Sequence, residues 1–339
     1  MTHARFPWPE ASSTGVGSYP GDDPDEAVRT ILGELPDLPH LPELPARGAG
    51  ADIIGRTAAL LVDLPVEVQP SGWRVVQRPG RDLARATDFL RYDVDALEEH
   101  AHSYHGPLKI QVAGPWTLAA GIELRTGEKL LADHGAVADL CASLVEGVVA
   151  HIADVRSRVP GAELLVQVDE PSLPSVLTGA VRTASGYGRL PAADRAAVEA
   201  RLRALFGAIT EADGLPVGHC CAAAAPVDLL RRSGARALSL DATLLTRAHD
   251  EHIGVAVEAG AGLFLGVVAS TDSVSSDPAA TVDPVRELWN RIGFAPEELA
   301  ATVVTTPTCG LAAASPGHAR AAMAACRDAA RVLREEPRR

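Results

Sequence analysis

A chain of 339 residues with 47% hydrophobic and 22% charged side chains buries a sizeable core, which excludes a disordered or fibrous protein. The formal net charge of −13 excludes a general affinity for nucleic acid or anionic lipid and leaves an acidic, solvated exterior as the expectation. Residues 1–13 hold no apolar core of signal-peptide length, and later apolar stretches are broken by Asp, Glu or His short of a membrane span, so a cytoplasmic protein is expected. Five cysteines, Cys141, Cys220, Cys221, Cys309 and Cys326, are a poor basis for a disulfide framework and point instead to metal binding or burial.

In chain order, residues 1–13 read as a flexible N-terminal segment, followed by short apolar, β-branched runs that alternate with longer Ala/Leu/Arg/Glu stretches. The runs predict strands at 14–18, 74–77, 109–112, 164–168, 217–221, 237–240, 263–268 and 303–306. Helical patterns fill the gaps, clearest at 135–158, 191–213, 226–233, 283–292 and 315–336, the last opening on a Ser-Pro-Gly start signal. Residues 35–45, with Pro36, Pro39, Pro42 and Pro45, cannot be a helix interior and read as a surface loop. Alternating strand and helix is the sequence form of a parallel α/β sheet. Eight such runs predict a closed (β/α)8 TIM barrel, one domain over residues 1–339. A doubly wound open sheet is disfavoured because Gly15 and Gly17, in Gly-Val-Gly-Ser-Tyr-Pro, lack the third glycine and helix start of a dinucleotide fingerprint.

Reactive side chains gather at or just beyond the strand ends. Ser18 follows the first run, residues 114–117 the third, Asp169, Glu170 and Pro171 the fourth, and His219 and Cys221 end the fifth. Asp241, Ser270 and Cys309 follow the last three. In a barrel these positions meet at one mouth, where active sites of this fold are built.

Strand alternation places His219 and Cys221 on one face and Cys220 on the other. Alone, such a pair is more often a hydrogen-bonded core histidine beside a small buried thiol. With Cys309 beyond another strand it becomes three soft ligands able to surround a tetrahedral zinc ion. Cys141 and Cys326 fall in helical patterns and are assigned to packing.

Taken together, residues 15–20, Gly114-Pro115-Trp116-Thr117, Gln167 to Pro171, His219-Cys220-Cys221 and Thr308-Cys309-Gly310-Leu311 resemble the catalytic barrel of the cobalamin-independent methionine synthases. The resemblance implies a zinc-bound homocysteine thiolate that attacks an activated methyl group, with His219, Cys221 and Cys309 as metal ligands and Asp241 in place of the family's glutamate ligand. It further implies that Gly17, Ser18 and Asp169 hold the amino-acid end of homocysteine. Gln167 shares strand parity with Asp169 and is expected to face the mouth with it. Trp116 is a candidate pocket wall, weighed against plain packing, and Glu170 is expected to serve as a structural hydrogen-bonding group.

The departures from the family pattern carry expectations of their own. The histidine that donates a proton after the seventh strand is absent from Val267-Val268-Ala269-Ser270, and Glu67 is a weak stand-in for an acidic substrate-binding segment. Full-length members carry a second, N-terminal barrel, for which 339 residues leave no room. The chain is therefore similar to the core-only relatives, and a corrinoid or corrinoid protein is expected as methyl donor rather than methyltetrahydrofolate.

Two rival readings remain at this point. A Schiff-base aldolase needs a lysine, but only Lys109 and Lys129 exist, and Lys109 sits at the start of its predicted strand. A metal-free decarboxylase of the related porphyrin decarboxylase superfamily leaves the His/Cys set unexplained, whereas a non-catalytic zinc- or thiol-binding barrel accounts for it.

Overall fold

The computed structural model describes residues 6–273 and 277–338. Strands β1 (Val66–Gln69) and β2 (Gly72–Val75) form an antiparallel hairpin apart from the main sheet. The main sheet holds β3 (Gly106–Ala113), β4 (Ala162–Asp169), β5 (Leu215–Cys220), β6 (Ala237–Asp241), β7 (Gly262–Val268) and β8 (Val303–Pro307), all parallel and each paired with its neighbour in sequence. Around it run α1 (Pro24–Glu34), α2 (Ile53–Ala58), α3 (Arg81–Ala101), α4 (Pro115–Gly121), α5 (His134–Arg158) and α6 (Leu173–Thr178). The second half adds α7 (Arg195–Glu211), α8 (Val227–Arg232), α9 (Arg247–Glu258), α10 (Pro278–Ile292), α11 (Leu299–Thr302) and α12 (Pro316–Glu335). Local chemistry sets their starts. Asp133 accepts from the Gly135 and Ala136 amides ahead of α5, and Ser315 accepts from the His318 amide, with Pro316 opening α12.

Six of the eight expected strands stand in the main sheet and two do not. Residues 74–77 belong in part to the hairpin, which packs on α3 rather than entering the sheet. Residues 14–18 form no regular strand, but Ser13 makes a parallel bridge to Thr305 of β8 and Ser18 one to Glu43. The proline-rich stretch is a larger correction. It lies inside the molecule, not on the surface: Leu38, His40, Leu41 and Leu44 are buried, and His40 bridges in parallel to Lys109 of β3. Prolines forbid regular pairing but tolerate single bridges, because only some amides need to donate.

The sheet buries both faces. Val166, Val168, Cys220, Leu238 and Leu240 pack outward under the helices, while Leu165, Val217, Ala237, Phe264 and Val304 form an inner cluster. Phe6 and Trp8 close that inner cluster from below, with ring centroids 4.5 Å apart, and Trp8 meets Phe264 edge-on at 5.1 Å. The N-terminal segment expected to be flexible is thus packed from Phe6 onward, and Met1 to Arg5 lie outside the described residues. α5 is, against expectation, long and apolar enough to cross a membrane by length and composition. It packs against α4, α7 and β4, with ten of its residues buried, and serves as a core helix.

Candidate active site

The parallel register sets Ala113 beside Asp169, Asp169 beside His219 and His219 beside Ser239, so one row across four strands carries the polar groups at the C-terminal edge. Above that row lies a cavity of about 370 Å3 lined by Val16, Gly17, Ser18, Glu43, Asp52, Asp169, His219, Cys221, Cys309 and Gly310, among others. A larger cavity, about 760 Å3, lies at the opposite ends of β4 and β5 and holds none of these groups.

Cys221 immediately follows β5, and Cys309 follows β8 on a turn fixed at both sides. Thr308 donates its amide to the Val268 carbonyl at 2.8 Å and Leu311 to that of Ser18 at 2.8 Å. A Cβ at position 310 would stand 2.1 Å from Ser18 Oγ, so a larger residue there would displace the Ser18 hydroxyl from the turn. The Cys221 Sγ to Cys309 Sγ separation is 3.6 Å. Two sulfurs bound to one tetrahedral zinc at about 2.3 Å each stand about 3.8 Å apart, so the pair fits such an ion. The shared hydrogen bond lowers the Cys309 thiol to about 6 and raises that of Cys221: one proton between two sulfurs.

His219 is buried, and its Nδ1 stands 2.9 Å from Ser239 Oγ. That contact fixes the ring and leaves Nε2 able to offer its lone pair to a metal. Burial first, then the charge of Lys109, lowers its pKa to about 4, which keeps the ring neutral. The imidazole is less closely drawn in than the sulfurs. Among the described residues, the three-residue His/Cys/Asp/Glu group whose donor atoms all lie within 4.8 Å is Asp25, Glu99 and His100, an outer cluster largely in solvent. Asp241 Oδ1 accepts from the Thr243 amide at 2.9 Å and from its hydroxyl at 2.6 Å, a capping role that holds the carboxylate back.

Asp169 and Gln167 do share the inner face, as their parity requires: Gln167 Nε2 donates to Asp169 Oδ1 at 2.8 Å and to the Val16 carbonyl at 2.8 Å. Burial, then the charge of Glu43, pushes the Asp169 carboxyl well above its usual range. A cation entering beside the pair would reverse that. Trp116 does not line the cavity; it sits in the outer core. Glu170 is the structural group expected, accepting from the Trp116 and Thr117 amides at 2.9 and 2.8 Å and from the Thr117 hydroxyl at 2.7 Å. Glu67 lies in the hairpin, hydrogen-bonded to Gln69, and does not reach the cavity. The acidic group at that place is Glu43, hidden from sequence reasoning inside the proline-rich stretch.

Lys109 is the second residue missed. It is the fourth residue of an eight-residue strand and fully buried, between the charges of Glu43 and Asp169, rather than at the outer start of the strand. The signal was present in Lys109-x-Gln111, a period-2 polar pair in an otherwise apolar strand.

The chain matches the family described as "Cobalamin-independent synthase, Catalytic domain" over residues 11–332. No individual curated protein matches it. Among solved structures it is similar to a B12-independent methionine synthase from Shewanella sp. W3-18-1 in complex with selenomethionine. That likeness has a TM-score of 0.61 at 13% identity and covers 97% of this chain and 99% of that one. It is also similar to 2,3-dimethylmalate lyase, a PEP mutase/isocitrate lyase superfamily member, with a TM-score of 0.41 at 13% identity over 97% of this chain and 84% of that one. At 13% identity the likeness to the Shewanella structure is one of fold.

Proposed function

Because the chain belongs to the family of cobalamin-independent methionine synthase catalytic domains, we propose that it methylates the sulfur of homocysteine at a zinc site formed by His219, Cys221 and Cys309. The observation that carries this reading is the 3.6 Å sulfur pair, set in a cavity whose walls also include three carboxylates, Glu43, Asp52 and Asp169, and the Gly17-Ser18 turn. The fold reads as a closed (β/α)8 barrel whose first two strands are reduced to bridges, supported by the contacts of Ser13 with β8, Ser18 with Glu43, and His40 with β3.

When bound, zinc supplies the Lewis acidity that keeps an alkyl thiol deprotonated at neutral pH. The chain does the rest. Ser239 orients His219, and the turn after β8 brings Cys309 to Cys221. Asp241, engaged by Thr243, would reach the metal only by releasing that cap, so its loss is expected to weaken the site without abolishing it. Asp169 and Glu43 receive the substrate ammonium, and the Gly17 and Ser18 amides receive its carboxylate.

A family of cobalamin-independent synthases removes the corrinoid from the account. Methyltetrahydrofolate is disfavoured as direct donor because its amine leaves only when protonated, and Ala269, where the family places its proton donor, supplies no acid. A donor whose leaving group departs as a neutral molecule, such as a methylsulfonium, needs none. Zinc-loaded protein is incubated with homocysteine and either methyltetrahydrofolate or trimethylsulfonium, and methionine is followed by mass spectrometry. The expected result is methionine from the sulfonium and background with the folate. Brisk folate-dependent turnover would overturn the donor assignment alone; methionine from neither would overturn the function.

A further inference from the structure

We propose that Lys109 is a positioning residue for the carboxylate end of the amino-acid thiol, a role that rests on the homocysteine reading above. Its Nζ donates to the Val16 carbonyl at 2.7 Å and to Gln111 Oε1 at 3.1 Å. Gln167 Nε2 donates to the same Val16 carbonyl at 2.8 Å, so two side chains from the inner face of the sheet clamp one peptide of the 15–18 turn. Gln111 is held in its turn by the Leu41 carbonyl at 2.8 Å.

The peptide bonds of the described residues are all trans, and in a trans peptide the carbonyl and the following N–H point in opposite directions. Drawing the Val16 carbonyl into the sheet interior therefore turns the Gly17 N–H away from it, in a segment whose residues 16–18 line the cavity. Among the described residues neither the Gly17 nor the Ser18 amide finds an acceptor. These two amides and the neighbouring Ser18 hydroxyl are therefore left available to an anion in the cavity. Lys109 stands between Glu43 and Asp169, whose charges oppose the burial that lowers its pKa to about 7. Burial of a lysine is costly, and a methionine would fill the same space without that cost. The ammonium is accounted for by the carbonyl it holds.

The test compares L-homocysteine with 3-aminopropane-1-thiol, which lacks only the carboxylate, by calorimetric titration of zinc-loaded protein. Lys109→Met is expected to weaken homocysteine binding roughly tenfold to a hundredfold, to change aminopropanethiol binding less than about threefold, and to retain zinc. Lys109→Gln, one bond shorter and uncharged, is the second variant should Lys109→Met fail to fold, and the same selective loss is expected of it. Unchanged homocysteine binding, or equal loss of both thiols, overturns the role and leaves the homocysteine reading standing. Wild-type protein that binds neither thiol overturns both.

Discussion

Cys221→Ser and Cys309→Ser are each expected to purify with less than about a tenth of the wild-type zinc, whereas Cys220→Ser keeps it. Structural zinc sites bind with about 10–16 kcal/mol, so losing one thiolate from a site of three or four ligands costs about 3 kcal/mol, on the order of a hundredfold in affinity. A serine hydroxyl is not deprotonated at neutral pH and does not replace a thiolate. Cys220 stands apart because strand alternation sends it outward into the apolar cluster with Val168 and Leu240, with its thiol pushed up to about 12 by burial. Metal analysis of the purified variants decides. Full zinc in Cys221→Ser and Cys309→Ser contradicts the site, and loss in Cys220→Ser alone would show that the opposite face of β5 binds metal.

Asp93→Ala is expected to destabilise the protein by about 3–5 kcal/mol, the cost of stripping the partner from a buried ion pair. Asp93 of α3 is fully buried and pairs with Arg47 at 2.7 Å and with Arg56 of α2, whose other neighbour is Glu43 at 3.7 Å. Burial, opposed by Arg56 and Arg47, still leaves the Asp93 carboxyl above its usual range. The cluster therefore adds little net stability as a pair, and the cost lies in leaving two guanidiniums without it. Because residues 52 and 53, at the start of α2, line the cavity, loosening this anchor also reaches the site. Urea denaturation measures the change. A loss below about 1 kcal/mol would mean that Glu43 or water takes over the arginines.

Strand parity and strand ends are geometric rules, and they made part of the candidate site legible: Cys221 and Cys309 approach to 3.6 Å, His219 lines the same cavity, and Cys220 turns away into the apolar core. Six strands were equally plain, since each is a short, mostly apolar run buried on both faces. The proline-rich residues 35–45 were misread because proline content reports what the backbone cannot do regularly, not whether it is buried. His40 and Glu43 enter through single bridges that leave no periodic trace. Lys109 was discounted for its place in the predicted strand, which the structure extends from residue 109 back to Gly106. Trp116 and Gly114 were grouped with the mouth, yet the 114–117 turn is used by Glu170 to cap α4. Long-range partners of this kind are invisible until the fold is known.

The central claim is that the substrate sulfur joins the two cysteine sulfurs on one zinc. X-ray absorption of the zinc-loaded protein, recorded with and without L-homocysteine, tests it most directly. Two sulfur neighbours at about 2.3 Å are expected in the free protein and three after homocysteine is added. An unchanged sulfur count at saturating homocysteine would contradict the account.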